Sequence, residues 1–180
     1  MRYIFIILLT LFFSACSTKE SSFILPTTNV VTLKSIKTQI GVKKINVPDY
    51  LNSDKILVKN GSKLESIDAN FASSADSLFT QKAIVTLKKA LNNPNVFLYP
   101  WEVSKKKGYI VEINIDDYLY SNGMVNLNGT YYIKNANGQV ISAKNFAYSK
   151  PANKDANSIV NALNELFNNL IIEIAQKIAR

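Results

Sequence analysis

The chain has no histidine and a single cysteine, Cys16, among its 180 residues. Those two scarcities remove the Ser-His and Cys-His nucleophile pairs and every zinc site built on His or Cys. Glycine is scarce too. Its 6 residues are scattered singly, so no glycine-rich phosphate loop is present. Carboxylate chemistry remains, and Asp116-Asp117 is the obvious pair. Adjacent strand residues point to opposite faces, so these two read as a polar strand end entering a turn. The chain is therefore expected not to be an enzyme, and to need no metal and no organic cofactor.

Long apolar runs are missing except at the start. Arg2 supplies positive charge, Tyr3 to Phe13 is apolar apart from Thr10, and the small residues Ser14 and Ala15 precede Cys16. Charge, apolar run, small residues and cleavage point form the order of an export signal. A helix over that run would span roughly 17 Å, well short of a ~30 Å hydrocarbon core. It reads as a signal segment over residues 1–15. Phe13-Ser14-Ala15-Cys16 resembles the lipobox of bacterial lipoproteins, with phenylalanine in place of the usual leucine. The resemblance implies acylation of the Cys16 sulfur and cleavage before that residue. Residues 16–22, small and polar after the cysteine, read as a lipidated tether, and residues 23–180 as one folded domain.

A domain of that length buries about 70% of the surface its unfolded chain exposes. The formal charge is +8, with Lys105-Lys106-Lys107 the densest run. Basic surfaces attract nucleic acid, acidic lipid or acidic protein. An exported chain seldom meets nucleic acid, so no nucleic-acid partner is expected. The lysine run beside Gly108 reads as a solvated turn.

The pattern along the chain predicts an α/β fold, or its α+β variant. It forms a single domain with a mixed, mostly antiparallel sheet of five to seven strands under two amphipathic helices. Gly41 to Val47 reads as a strand stopped by Pro48, and Asp49 to Asp54 as a turn or single helical turn. Strands over Lys55–Lys59 and Leu64–Ile67 flank the Asn60-Gly61 turn. A helix starts near Ser73 or Ser74, either of which suits its N-cap. Ala75, Phe79, Ala83, Leu87 and Leu91 form its apolar stripe, and Asn92-Asn93-Pro94 ends it. Val96–Tyr99 is a buried-looking strand. Three alternating strands follow, joined at Asn122-Gly123 and Asn137-Gly138 into an antiparallel meander. Their second face carries Glu112, Asn114, Asn126, Asn128 and Thr130, which predicts partial exposure or a polar contact surface. A last helix, from about Asp155 to Ala179, buries Ile159, Leu163, Leu166, Phe167, Leu170, Ile174 and Ile178.

Several segments together resemble the paraquat-inducible protein C lipoproteins, the auxiliary lipoproteins of ABC-type transport. Phe23-Ile24-Leu25-Pro26 is similar to their aromatic-apolar-Leu-Pro opening. Val47-Pro48-Asp49-Tyr50-Leu51 before Lys55-Ile56-Leu57-Val58 resembles their Val-x-x-Pro-x-Tyr-Leu and following strand. Leu87, Leu91, Val96 and Tyr99-Pro100-Trp101 resemble their helix-then-Tyr-Pro-Trp step. Where the family often has a tryptophan leading into the first helix, this chain has Phe71. The resemblance implies an outer-membrane lipoprotein of a Gram-negative bacterium, facing the periplasm. It would act as a non-catalytic docking component with a mammalian-cell-entry (MCE) domain protein of a lipid transport system. It admits phospholipid as a ligand and a homo-oligomer as the working form. Ser17 after the cysteine is compatible with outer-membrane sorting. The alternative is an envelope-assembly or scaffold lipoprotein bound to an outer-membrane β-barrel.

Aromatics stiffened by proline make good interface anchors, because they bury much area at little entropic cost. Pro48, Tyr50, Leu51, Tyr99, Pro100 and Trp101 are the candidate partner-binding residues, and Cys16 is the candidate lipidation site. Tyr50 sits in a polar turn and is expected to be the more exposed, Trp101 the more structural. Tyr118 and Tyr120, at a strand end, fit either an interface or the core.

Overall fold

A computed structural model describes residues 22–26, 30–100 and 108–180. The elements are β1 (Ser22–Phe23), β2 (Gln39–Lys43), β3 (Lys55–Asn60), β4 (Lys63–Phe71), α1 (Ala75–Ala90), β5 (Val96–Tyr99), β6 (Gly108–Asp117), β7 (Tyr120–Ser121), β8 (Met124–Asn135), β9 (Val140–Pro151) and α2 (Ala156–Ile178). They form an α/β domain with one sheet and two helices packed on it, as the pattern predicts.

The sheet has nine strands among the described residues, more than the five to seven expected. Its path runs β1-β4-β3-β7-β8-β6-β2-β5, with β9 on the other edge of β8. Strand β8 is the spine of a fork. Met124 and Val125 pair with β7, Asn128 to Asn135 pair with β6, and β9 pairs along the whole length. The long ladders β3–β4, β6–β8 and β8–β9 are antiparallel. Strand β2 is parallel to both β5 and β6, and β1 is parallel to β4. The extra strands are mainly the two-residue pieces β1 and β7, too short for any periodicity to show.

The predicted strand Gly41–Val47 is displaced. Pairing stops at Lys43, and Asn46 makes only an isolated parallel bridge to Asn114. Between them the Ile45 N–H turns away and donates to Thr80 Oγ1 at 2.9 Å, tying the strand to α1.

All five residues of the predicted α1 stripe are fully buried. Phe79 packs on Phe167 of α2 at 4.8 Å between ring centres, and edge-on to Tyr118 at 5.3 Å. Helix α2 has Asp155 at its N-cap, accepting from the Ser158 N–H at 2.9 Å. It is pinned to the sheet through Glu173. That carboxylate accepts from Tyr131 Oη at 2.8 Å, Tyr148 Oη at 2.7 Å and Lys144 Nζ at 2.9 Å. Burial would raise the Glu173 pKa, but Lys144 and the two phenols outweigh it and hold it low.

The start of α1 departs from simple serine capping. Ser74 occupies the N-cap position, yet its hydroxyl makes no capping bond and donates instead to Asp76 Oδ1 at 2.6 Å. Asn52, in the preceding turn, supplies the acceptor for the Asp76 N–H at 3.1 Å and donates to Asp76 Oδ2 at 3.1 Å. Lys44 closes the cluster with an ion pair at 2.5 Å. Burial pushes the Asp76 carboxyl up, but Lys44, Ser74, Asn52 and the Ser77 N–H together bring it down from 3.8 to about 2. The depressed value contributes stability present above pH 3.8 and lost as pH falls toward 2, roughly 2 kcal/mol. Asp76→Asn should therefore be less stable than the parent at pH 6, and the gap should close by pH 2. Urea melts of both proteins across that range check it.

Candidate docking surface

The residues 47–51 loop splits by side-chain direction. The Pro48 carbonyl accepts from the Leu51 and Asn52 N–H groups at 2.8 and 3.0 Å, which closes the predicted turn. This turn leaves Tyr50 65% exposed and sends Leu51 fully into the core. Leu51, expected as a docking residue, is therefore a core residue: the turn points it inward, and its carbonyl accepts from Tyr118 Oη at 2.5 Å. Pro48 is half-buried between them. Tyr118 is buried as well, and burial holds its phenol well above the ordinary tyrosine range. Tyr120 is half-exposed.

Tyr50 stands on the rim of a cavity of about 330 Å³, with Lys59, Leu64, Asp116, Asp117 and Leu119 on the wall. Leu64 is 41% exposed, so the rim pairs one aromatic and one aliphatic group with charges of both signs. Asp117 Oδ1 accepts from the Leu119 N–H at 2.9 Å, and Asp116 is exposed on the rim. One carboxylate thus shapes the strand end. Both residues end strand β6, and Asp117 holds the turn that follows it.

Tyr99 and Pro100 lie elsewhere. Tyr99 ends edge strand β5, beside Lys43 of β2, and is half-buried, while Pro100 is exposed. Trp101 lies outside the described residues, as do Cys16 and the Lys105-Lys106-Lys107 run. The Tyr50 rim and the Tyr99 edge therefore belong to different parts of the fold, and the five described candidates do not form one cluster.

Strand β5 is less buried than its sequence suggests. Val96 is fully buried, but Phe97 and Leu98 are 42% and 53% exposed. The strand is at an edge, where one apolar residue on each face escapes cover. The flanking Pro94 and Pro100 are the signal for this, since proline in sheets is confined to edges and strand ends.

The helix-free face of the meander is half-exposed, as its asparagines predict. Ser149 Oγ donates to Asn126 Oδ1 at 2.7 Å, and Thr130 Oγ1 donates to Asn145 Oδ1 at 2.8 Å. Lys43 and Lys134 both reach Glu112 Oε2 at 2.7 Å, and these hydrogen bonds hold the carboxyl below its ordinary range. Phe71, standing where the family often has tryptophan, is buried and paired with Phe23 of β1. Among the described residues no group of three or more acidic or thiol side chains is placed to hold a metal, and no helix is long and apolar enough to cross a membrane.

The domain is thus a helix-backed sheet with exposed aromatics at Tyr50 of the turn and Phe97 of the edge strand. The chain belongs to the family of ABC-type transport auxiliary lipoprotein components, whose model matches residues 23–175. This is the family its Pro-Asp-Tyr-Leu and Tyr-Pro-Trp segments resemble. No curated protein matches the chain. Among solved structures, an uncharacterized protein is similar at a TM-score of 0.71 and 18% identity, over 88% of this chain and 98% of that one. Protein XCC0632 from Xanthomonas campestris, of the DUF330 family, is similar at a TM-score of 0.72 and 14% identity, over 86% and 92%. A dodecameric PelC variant from Paraburkholderia phytofirmans is similar at a TM-score of 0.50 and 12% identity, over 83% and 92%.

Proposed function

We propose that this chain is the periplasm-facing docking component of an intermembrane lipid transport system, held in the outer membrane by lipid on Cys16. Its partner is an MCE-domain protein, and it performs no chemistry of its own. The observation that carries this reading is membership of the auxiliary lipoprotein family over residues 23–175. Ser17 supports the outer-membrane site, and the lack of histidine and of any second thiol supports a binding role. The same proposal includes a homo-oligomer, which the fold likeness to a dodecameric PelC variant favours.

Tyr50 is the anchor we assign to the partner contact, because it is the most exposed aromatic of the turn and stands beside the exposed Leu64. Tyr50→Ala should weaken capture of the MCE-domain protein by about 2 kcal/mol or more while leaving the melting temperature in place. Leu51→Ala is the control, and should instead cost about 2–5 kcal/mol of stability. Pull-down and thermal melting on both variants separate the roles. Full capture by Tyr50→Ala would remove Tyr50 from the interface.

A further inference from the structure

Beside the first strand, β1 and α1 enclose a groove of about 420 Å³, lined in part by Ile24, Leu25, Leu78, Lys82 and Val85. Its mouth is apolar and open to solvent: Ile24 is 63% exposed and Val85 38%. Lys82 is only 4% exposed, yet its ammonium meets no carboxylate among the described residues. Among the described residues its hydrogen bond goes to the Pro26 carbonyl. The charge that acts on it is Lys89, also positive.

The carboxylates Asp76, Glu112 and Glu173, all buried or half-buried, each have an opposite partner. Asp76 has Lys44, Glu112 has two lysines, and Glu173 has Lys144. A buried cation with no counterion among the described residues is expensive, and an anion brought to it recovers part of that cost. Burial and Lys89 lower the Lys82 pKa to about 8, which still leaves the group mostly protonated at pH 7. An anion seated there would raise it again. The chemistry of the lining is thus a cation at an apolar mouth, which suits an amphiphile with an anionic head.

Chain length says which amphiphile is within reach. Ser22 lies six residues after Cys16 and Ile24 eight. An extended chain covers at most ~3.6 Å per residue, so these residues stay within about 22 Å and 29 Å of the acylated cysteine. The groove is therefore tethered close to the headgroup layer of whatever membrane holds the lipid.

We propose that this groove engages an anionic phospholipid of the anchoring membrane, with the headgroup phosphate on Lys82 and the upper acyl chain against Ile24, Leu78 and Val85. The proposal rests on Cys16 being the lipid anchor, and it assigns the β1–α1 side of the domain to the membrane. That leaves the Tyr50 rim free for the protein partner.

The test uses the full acylated chain in vesicles. Val85→Cys is labelled with an environment-sensitive fluorophore, the Cys16 sulfur being blocked by its lipid. The vesicles are phosphatidylcholine with or without phosphatidylglycerol, each carrying a lipid quencher near the headgroup. Quenching should be several-fold stronger with phosphatidylglycerol. It should fall to the phosphatidylcholine level in Lys82→Met and in Gln81→Glu, which places a carboxylate on the exposed groove wall without touching the core. The second variant keeps the test decisive should Lys82→Met fail to fold. A chain that carries acyl label and floats with vesicles, but shows equal quenching in both, overturns the groove and leaves the anchor standing. Inorganic phosphate displacing the lipid effect at equal concentration would make this a phosphate site and overturn the lipid assignment. If the chain carries no acyl label, the anchor reading has failed instead. Short-chain phosphatidylglycerol added to the soluble chain then decides the groove: binding that depends on Lys82 upholds it, and no binding overturns it.

Discussion

Adding one methyl group at Gly129 should cost about 3 kcal/mol or more, a large share of the roughly 5–15 kcal/mol that holds a typical domain together. Gly129 lies in mid-strand of β8, opposite Ile115 of β6. The ladder shifts register between Ile115 and Asp117, so Asp116 is an extra residue and β6 kinks there. A Cβ at position 129 would stand 2.1 Å from the Asn114 carbonyl oxygen, 2.8 Å from Phe146 Cζ and 3.0 Å from Ile115 Cα. Two of those three atoms are backbone and cannot rotate aside. Overpacking a core by a methylene typically costs about 1–3 kcal/mol even where side chains can yield, so a backbone clash belongs at or above that range. Urea denaturation of Gly129→Ala against the parent measures it. A loss under about 1 kcal/mol would mean that the β6 kink can relax, and that β6 and β8 are not held as closely as described.

That result would also mark where sequence reasoning stops. Val125, Leu127, Gly129, Tyr131 and Ile133 alternate as one strand face, and nothing in that pattern says that the glycine is required. The requirement comes from a bulge in another strand. Features set by local rules were legible. The three Asn-Gly turns are of this kind: Gly61, Gly123 and Gly138 have φ of 60°, 79° and 81°, the left-handed region that glycine reaches most easily. The two helical stripes are another, because burial at three- and four-residue spacing is a property of the helix itself.

Features set by distant partners were not legible. Ser22–Phe23 becomes a strand only because Asn70–Phe71 is there to pair with it. Asn52 acts at the start of α1 from 24 residues away in sequence. For the candidate site, the sequence pointed to the Pro48–Leu51 turn but could not separate Tyr50 from Leu51. Adjacent side chains in a turn diverge, and which one faces the core depends on how Tyr118 reaches the Leu51 carbonyl. Lys82 was invisible for the same reason: on a helix that shows only a stripe, a lysine reads as solvated until the chain around Pro26 covers it.

Cys16→Ser should abolish membrane attachment through lipid, and this is the largest functional effect we expect. The sulfur is the only thiol in the chain, so no second residue can take the acyl group by the same chemistry. A buried CH₂ contributes about 0.8 kcal/mol, so a single acyl chain holds a protein only marginally while two or more hold it firmly. Losing the sulfur should thus remove nearly all of the lipid's binding free energy at once. The substitution lies six residues before β1 in the sequence, and the melting temperature of the domain should not move. Two signatures should appear together in cells fed a labelled fatty acid such as palmitate. The label should be lost from the variant, and the variant should migrate as a precursor that keeps residues 1–15, because the cut before Cys16 depends on the lipidated residue. Equal label in variant and parent would overturn the anchor. It would also move the attachment point away from β1, and with it the membrane-facing side of the domain.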